Sequence, residues 1–149
     1  IHPAAGSAGF LAKDGRWAET YLRKAIQINP AHANGYGELA FVLIHQRRYA
    51  DALAEIEQGM MVTDDPCLQA MLWRKRGYVF IELDQLVAAR GAYLHSLELA
   101  PSNQLALSEL QIIEGAMRER GMPVEPAVSG APGSIRVPNI DGTVISTCE

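Results

Sequence analysis

The sequence predicts an all-α fold: about three helix pairs, a closing C-terminal helix, and an irregular tail. Three observations carry this. Apolar residues recur with the 3.6-residue period of amphipathic helices between Arg16 and Arg120. A pattern of six positions occurs twice, 37 residues apart: Tyr36, Leu39, Ala40, Leu43, Ala52 and Ile56, then Trp73, Arg76, Gly77, Phe80, Ala89 and Tyr93. Such tandem copies mark an array of helical hairpins that bury their apolar faces on one another. Beyond Gly121 the composition shifts to proline, glycine and serine, which reads as a linker. The boundaries expected are a helical repeat domain over 1–120 and a tail over 121–149.

Taken in order, Ile1 to Asp14 is weakly patterned, and Gly6, Ser7 and Gly9 lower its helix propensity. A degenerate first helix ending near Lys13 would have only Phe10 and Leu11 as large anchors. From Arg16 to Asn29, the residues Trp17, Tyr21, Leu22, Ala25, Ile26 and Ile28 form one stripe, and Asn29-Pro30 ends it. Ala33 to Val62 holds the first full helix pair. Between the pairs, Asp65 can cap a helix that has Pro66 at its first position, where a missing N–H costs nothing. The next helix should therefore begin about a turn early. Pro101 stops its partner, because proline has no N–H to donate and clashes with the preceding turn. Asn103 to Arg120 mixes Leu107, Leu110, Ile112 and Ile113 with Glu109, Glu114, Arg118, Glu119 and Arg120, which suits a closing helix with one wet face. In the tail, apolar and polar residues alternate about Asp141-Gly142, a hairpin signal. Pro138 demotes the first strand and a lone hairpin is marginal in water, so disorder or extended docking is the preferred reading.

The spelling W-x-x-R-G-x-x-F from Trp73, A-x-x-x-Y from Ala89, and then Pro101 resembles the tetratricopeptide repeat, whose pattern is W-x-x-L-G-x-x-Y, A-x-x-x-F, P. Arg76 departs outright, standing where the pattern has leucine. The family's period is about 34 residues, so three extra residues are expected between Val62 and Gln69. The resemblance implies a right-handed superhelix whose first helices line a concave, partner-binding wall. The inward residues would be Asn34, Glu38, Phe41 and His45 in one pair, and Arg74, Tyr78 and Glu82 in the next, with Lys75 at the rim. The closing helix would add Ser108 and Ile112. Phe41 and Tyr78, at equivalent positions, would be neighbours on that wall. One class of the family clamps terminal carboxylates with lysines and asparagines. Asn34 is of a clamp-like type, but Gly37, Glu38 and Phe41 interrupt the pattern before Arg74 and Lys75, and Glu38 would repel a carboxylate.

Composition bounds the function. The chain of 149 residues is 48% hydrophobic and 20% charged, enough for a folded core. A net charge of −4 and a pI near 5.6 argue against nucleic acid, which needs a basic face. No apolar run approaches the ~20 residues of a membrane span. Paired carboxylates, a nucleophile elbow and a phosphate loop are all missing from the sequence, so neither enzyme activity nor a cofactor is expected. His32, His45 and His95 lack ligand spacing, and metal binding is unsupported. Cys67 reads as a small packed residue at a helix start and Cys148 as an exposed free thiol, two cysteines being too few for a disulfide framework. The function expected is a scaffold or adaptor that binds an extended peptide or a helix. The alternatives are a non-catalytic regulatory or assembly domain of a larger enzyme or secretion machine, and a homo-oligomer associating through its tail. Cytoplasm and bacterial periplasm stay open as compartments.

Overall fold

The computed structural model describes residues 15–126 and 148. The degenerate first helix expected before Lys13 and the hairpin expected about Asp141-Gly142 lie outside them. Among the described residues there are six helices and no strand: α1 Arg16–Ile28, α2 Ala33–His45, α3 Tyr49–Val62, α4 Pro66–Glu82, α5 Leu86–Leu99 and α6 Gln104–Glu119. They fall into two compact units, Ile1–Asp64 and Asp65–Glu149.

In the first unit, α2 and α3 form a helical hairpin and α1 packs on α2. Leu39, Ala40, Val42, Leu43, Ala52 and Ile56 have no exposed surface. Five of these lie on the repeat pattern, which is why the pattern is a packing pattern. Ala18 and Leu22 are the buried side of α1. Trp17, Tyr21 and Ile28, members of the apolar stripe read above, are exposed at 37%, 60% and 77%. The stripe is wider than the one side of α1 that the core covers. Glu19 sits between two guanidinium groups, 2.7 Å from Arg48 and 3.0 Å from Arg23, and Arg23 reaches on to Glu55 at 3.3 Å. Partial burial pushes the Glu19 carboxyl up, but the hydrogen bonds and charges of Arg48 and Arg23 outweigh it and hold it below the usual value. A depressed carboxylate stabilises the fold above its unfolded pKa, and that contribution fades as pH falls through the folded one.

In the second unit, α4 and α5 form the equivalent hairpin and α6 packs on α5. Asp65 caps α4, accepting from the amides of Cys67 at 2.8 Å and Leu68 at 3.4 Å, and Pro66 follows as expected. The early start shows in length: α4 has 17 residues where α2 has 13. Asn103 caps α6 through Ala106 N–H at 3.0 Å. Three helices end alike. Arg47, Asp84 and Gly121 take positive φ of 60°, 58° and 71°, and the next amides, of Arg48, Gln85 and Met122, reach back to the carbonyls of Leu43, Phe80 and Met117. These six-to-one bonds satisfy carbonyls the helix ends would otherwise leave open.

The crossing of α4 and α5 is tight because residue 77 is glycine. A Cβ there would lie 2.6 Å from the Tyr93 ring and 3.3 Å from the Ala89 carbonyl oxygen. Tyr93 is fully buried and its hydroxyl donates to Glu109 Oε1 at 2.7 Å, so the ring has nowhere to retreat. Gly77→Ala should therefore destabilise the second unit. Overpacking of about 1–3 kcal/mol exceeds the roughly 1 kcal/mol gained in helix propensity. Urea denaturation measures it, and an unchanged or higher midpoint would contradict this crossing.

The unit does not stop at Gly121. Met122 and Val124 pack against the cluster of Leu86, Tyr93, Leu97, Ile113 and Met117. Arg90 pairs with Glu114 at 2.8 Å and donates to the Glu125 carbonyl. Farther on, Cys148 forms a disulfide with Cys67. The reading of Cys67 as a packed residue and Cys148 as a free thiol is thus corrected. Nothing in two cysteines 81 residues apart signals pairing; only the return of the chain to the start of α4 brings them together.

Candidate interaction surface

The first helix of each hairpin carries a stripe of mixed side chains outside the core. On α2 it consists of Asn34, Glu38, Phe41 and His45, successive positions on one face of a helix. Asn34, Glu38 and His45 are exposed and Phe41 is half-buried. Phe41 and His45 pack together, ring centroids 4.3 Å apart, and His45 Nδ1–H donates to the Phe41 carbonyl at 3.0 Å. A carbonyl can only accept, so the proton is on Nδ1 and a neutral His45 leaves Nε2 as an outward acceptor. The face thus offers an aromatic plate, an imidazole, an amide and a carboxylate.

On α4, Tyr78 and Glu82 are exposed while Arg74 and Lys75 are half-buried. Arg74 lies close enough to Tyr93 for its charge to favour the phenolate. Burial, followed by the bond to Glu109, wins decisively, and the Tyr93 hydroxyl is pushed far up and stays protonated. On α6, Ser108 is exposed and Ile112 is 70% exposed. All ten residues expected at the surface are outside the core. The structure brings Phe41 and His45 together within the first unit; Arg74, Lys75, Tyr78, Glu82, Ser108 and Ile112 lie in the second.

The other chemistry-bearing residues are absorbed into packing. Arg76 places its guanidinium 5.5 Å from the Trp73 ring centre and 5.7 Å from that of Phe80. A residue of the wrong type at a core position is accommodated by cation–π contact on both sides. His95 packs against Trp73, 4.1 Å between ring centroids. Ser96, the buried polar residue of α5, donates to the Ala70 carbonyl at 2.7 Å. No group of three or more His, Cys, Asp or Glu side chains among the described residues could hold a metal. None of these helices is long and apolar enough to cross a membrane.

Sequence reasoning missed the outward side of α1. Trp17 and Tyr21 stack with centroids 5.9 Å apart, and with Thr20, Lys24, Ala25 and Ile28 they line a shallow hollow of about 440 Å³. A signal existed: seven large or small apolar residues in 13 positions are more than one packed side of a helix needs.

The comparisons agree with this architecture. Residues 10–72 match the family model described as tetratricopeptide repeat. DnaJ homolog subfamily C member 7 of Homo sapiens is 30% identical over 112 residues, which are 75% of this chain and 22% of that protein. The Mus musculus protein of the same name matches with the same identity and coverage. The chain thus spans about a fifth of the length of these curated relatives. Over the matched residues the chain carries the tetratricopeptide repeat, and the hairpin of α2 and α3 lies within them. Repeats of this family generally mediate protein–protein interaction.

Proposed function

We propose that the chain is a non-catalytic scaffold or adaptor that binds an extended segment or a helix of a protein partner on the outward stripe of α2 and on that of α4, each within its own unit. One observation carries this reading: α2 buries its repeat-pattern residues Tyr36, Leu39, Ala40 and Leu43, α4 buries Gly77 and half-buries Trp73, Arg76 and Phe80, and each helix keeps a mixed aromatic and polar stripe out of the core. Phe41 and Tyr78 supply apolar area for the partner, Arg74 and Lys75 meet acidic side chains or backbone carbonyls, and Glu38 and Glu82 discriminate against acidic termini. Ser108 and Ile112 extend the surface on α6. Solenoid repeats present such faces to extended partners.

Peptides selected from a random library on the intact chain provide the test. Phe41→Ala combined with Tyr78→Ala should leave the melt in place and weaken such peptides by more than about 2 kcal/mol, since aromatic anchors dominate interface energies. Unchanged affinity places the binding site elsewhere, and a sharply lower Tm makes the two rings core. A second reading, a regulatory or assembly domain within a larger machine, is favoured by the greater length of the relatives, of which the match covers 22%. It predicts that the native protein co-purifies in a stable complex of fixed composition.

A further inference from the structure

The Cys67–Cys148 bond joins the first turn of α4 to the far end of the chain, and two features of its setting set it apart from a core staple. Neither cysteine belongs to the apolar core of the second unit, which Leu72, Val79, Ala89, Tyr93, Ile113 and Met117 close without them. Both are partly exposed, so a small thiol can approach the sulfurs. The chain's earlier return is held separately: Met122 and Val124 pack on the cluster, and Arg90 donates to the Glu125 carbonyl. Losing the disulfide therefore leaves the attachments up to residue 126 standing.

We infer that this disulfide is a redox-operated clasp, which ties Cys148 to the first turn of α4 when oxidised and frees it when reduced, with α4, α5 and α6 folded in both states. The reductant is a dithiol. One of its thiolates attacks one sulfur of the bridge, and the other cysteine sulfur leaves as a thiolate and takes up a proton. The reductant's second thiol then attacks the mixed disulfide, releasing the second cysteine. The bridge gains two electrons and two protons, and the dithiol, having lost them, becomes a disulfide. In an oxidising compartment the clasp is closed, and in one whose thiol pool is kept reduced it is open.

The test uses the full chain, air-oxidised and without denaturant. Iodoacetamide should add to no cysteine before treatment and to both Cys67 and Cys148 after dithiothreitol, while helical ellipticity stays unchanged. A nitroxide placed on Cys148 in a Cys67→Ser variant should then give the narrow spectral lines of a residue released from α4. Alkylation without reductant would show that no clasp forms. Loss of helicity on reduction, or reduction only in denaturant, would make the bond a structural staple and overturn the inference. Broad nitroxide lines would do the same, because residue 148 would remain docked without the bond. Should the Cys67→Ser variant fail to fold, that too overturns it, and the reduced natural chain gives the independent reading.

Discussion

Tyr93→Ala is expected to cost the second unit about 3–5 kcal/mol, the range for emptying a fully buried aromatic site. Tyr93 has no exposed surface and stands where α4, α5 and α6 all meet it: its ring fills the space opened by Gly77, and its hydroxyl donates to Glu109 on α6. Alanine would leave a cavity beside a glycine, which has no side chain to collapse into it, and would strip a half-buried carboxylate of its donor. Tyr93→Phe separates these contributions. It keeps the ring and should cost only about 1–2 kcal/mol for the lost charge-assisted bond. Urea unfolding followed by circular dichroism distinguishes the two; equal losses from both variants would mean that the hydroxyl, not the ring, holds the crossing.

The second large effect is expected from Cys148→Ser. The bridge closes a loop between residues 81 apart in sequence, and cross-linking so long a segment restricts the unfolded chain far more than the folded one. Its loss should lower the unfolding free energy of the second unit by about 2–4 kcal/mol. The first unit contains neither cysteine and should keep its own stability. Dithiothreitol should move the natural protein to the variant's unfolding midpoint and leave the variant unmoved. A midpoint of the natural protein that ignores the reductant would contradict the bond's contribution.

Much of the fold was legible because the repeat pattern is a packing pattern. Ala52 and Ala89, matched across 37 residues, are both fully buried at hairpin crossings, and Ile56 and Tyr93 follow them into the core. Asp65-Pro66 announced a helix start through local chemistry alone, and the structure shows that cap. What could not be read was long-range or a matter of degree. The stripe on α1 showed an apolar helix but not how much of it a neighbour would cover, and Trp17, Tyr21 and Ile28 lie outside the core. Arg76 looked like a misfit because its acceptors, the Trp73 and Phe80 rings, serve as ordinary core in the pattern. The partner of Cys67 depended on where the chain returns after Pro126, which no local pattern specifies. The exposed character of Asn34, Glu38, His45, Tyr78 and Glu82 followed from helical phase once the buried positions were known.

The claim that these stripes are the binding surface is tested most directly by nuclear magnetic resonance, titrating a library-selected peptide into the isotope-labelled chain. The account predicts that shifts concentrate at Asn34, Glu38, Phe41 and His45 on α2 and at Arg74, Tyr78 and Glu82 on α4. Resonances of Gln58 on α3 and Val87 and Gly91 on α5, exposed residues of the second helices, should stay in place. Shifts centred on α3 and α5, with the α2 and α4 stripes undisturbed, would contradict it.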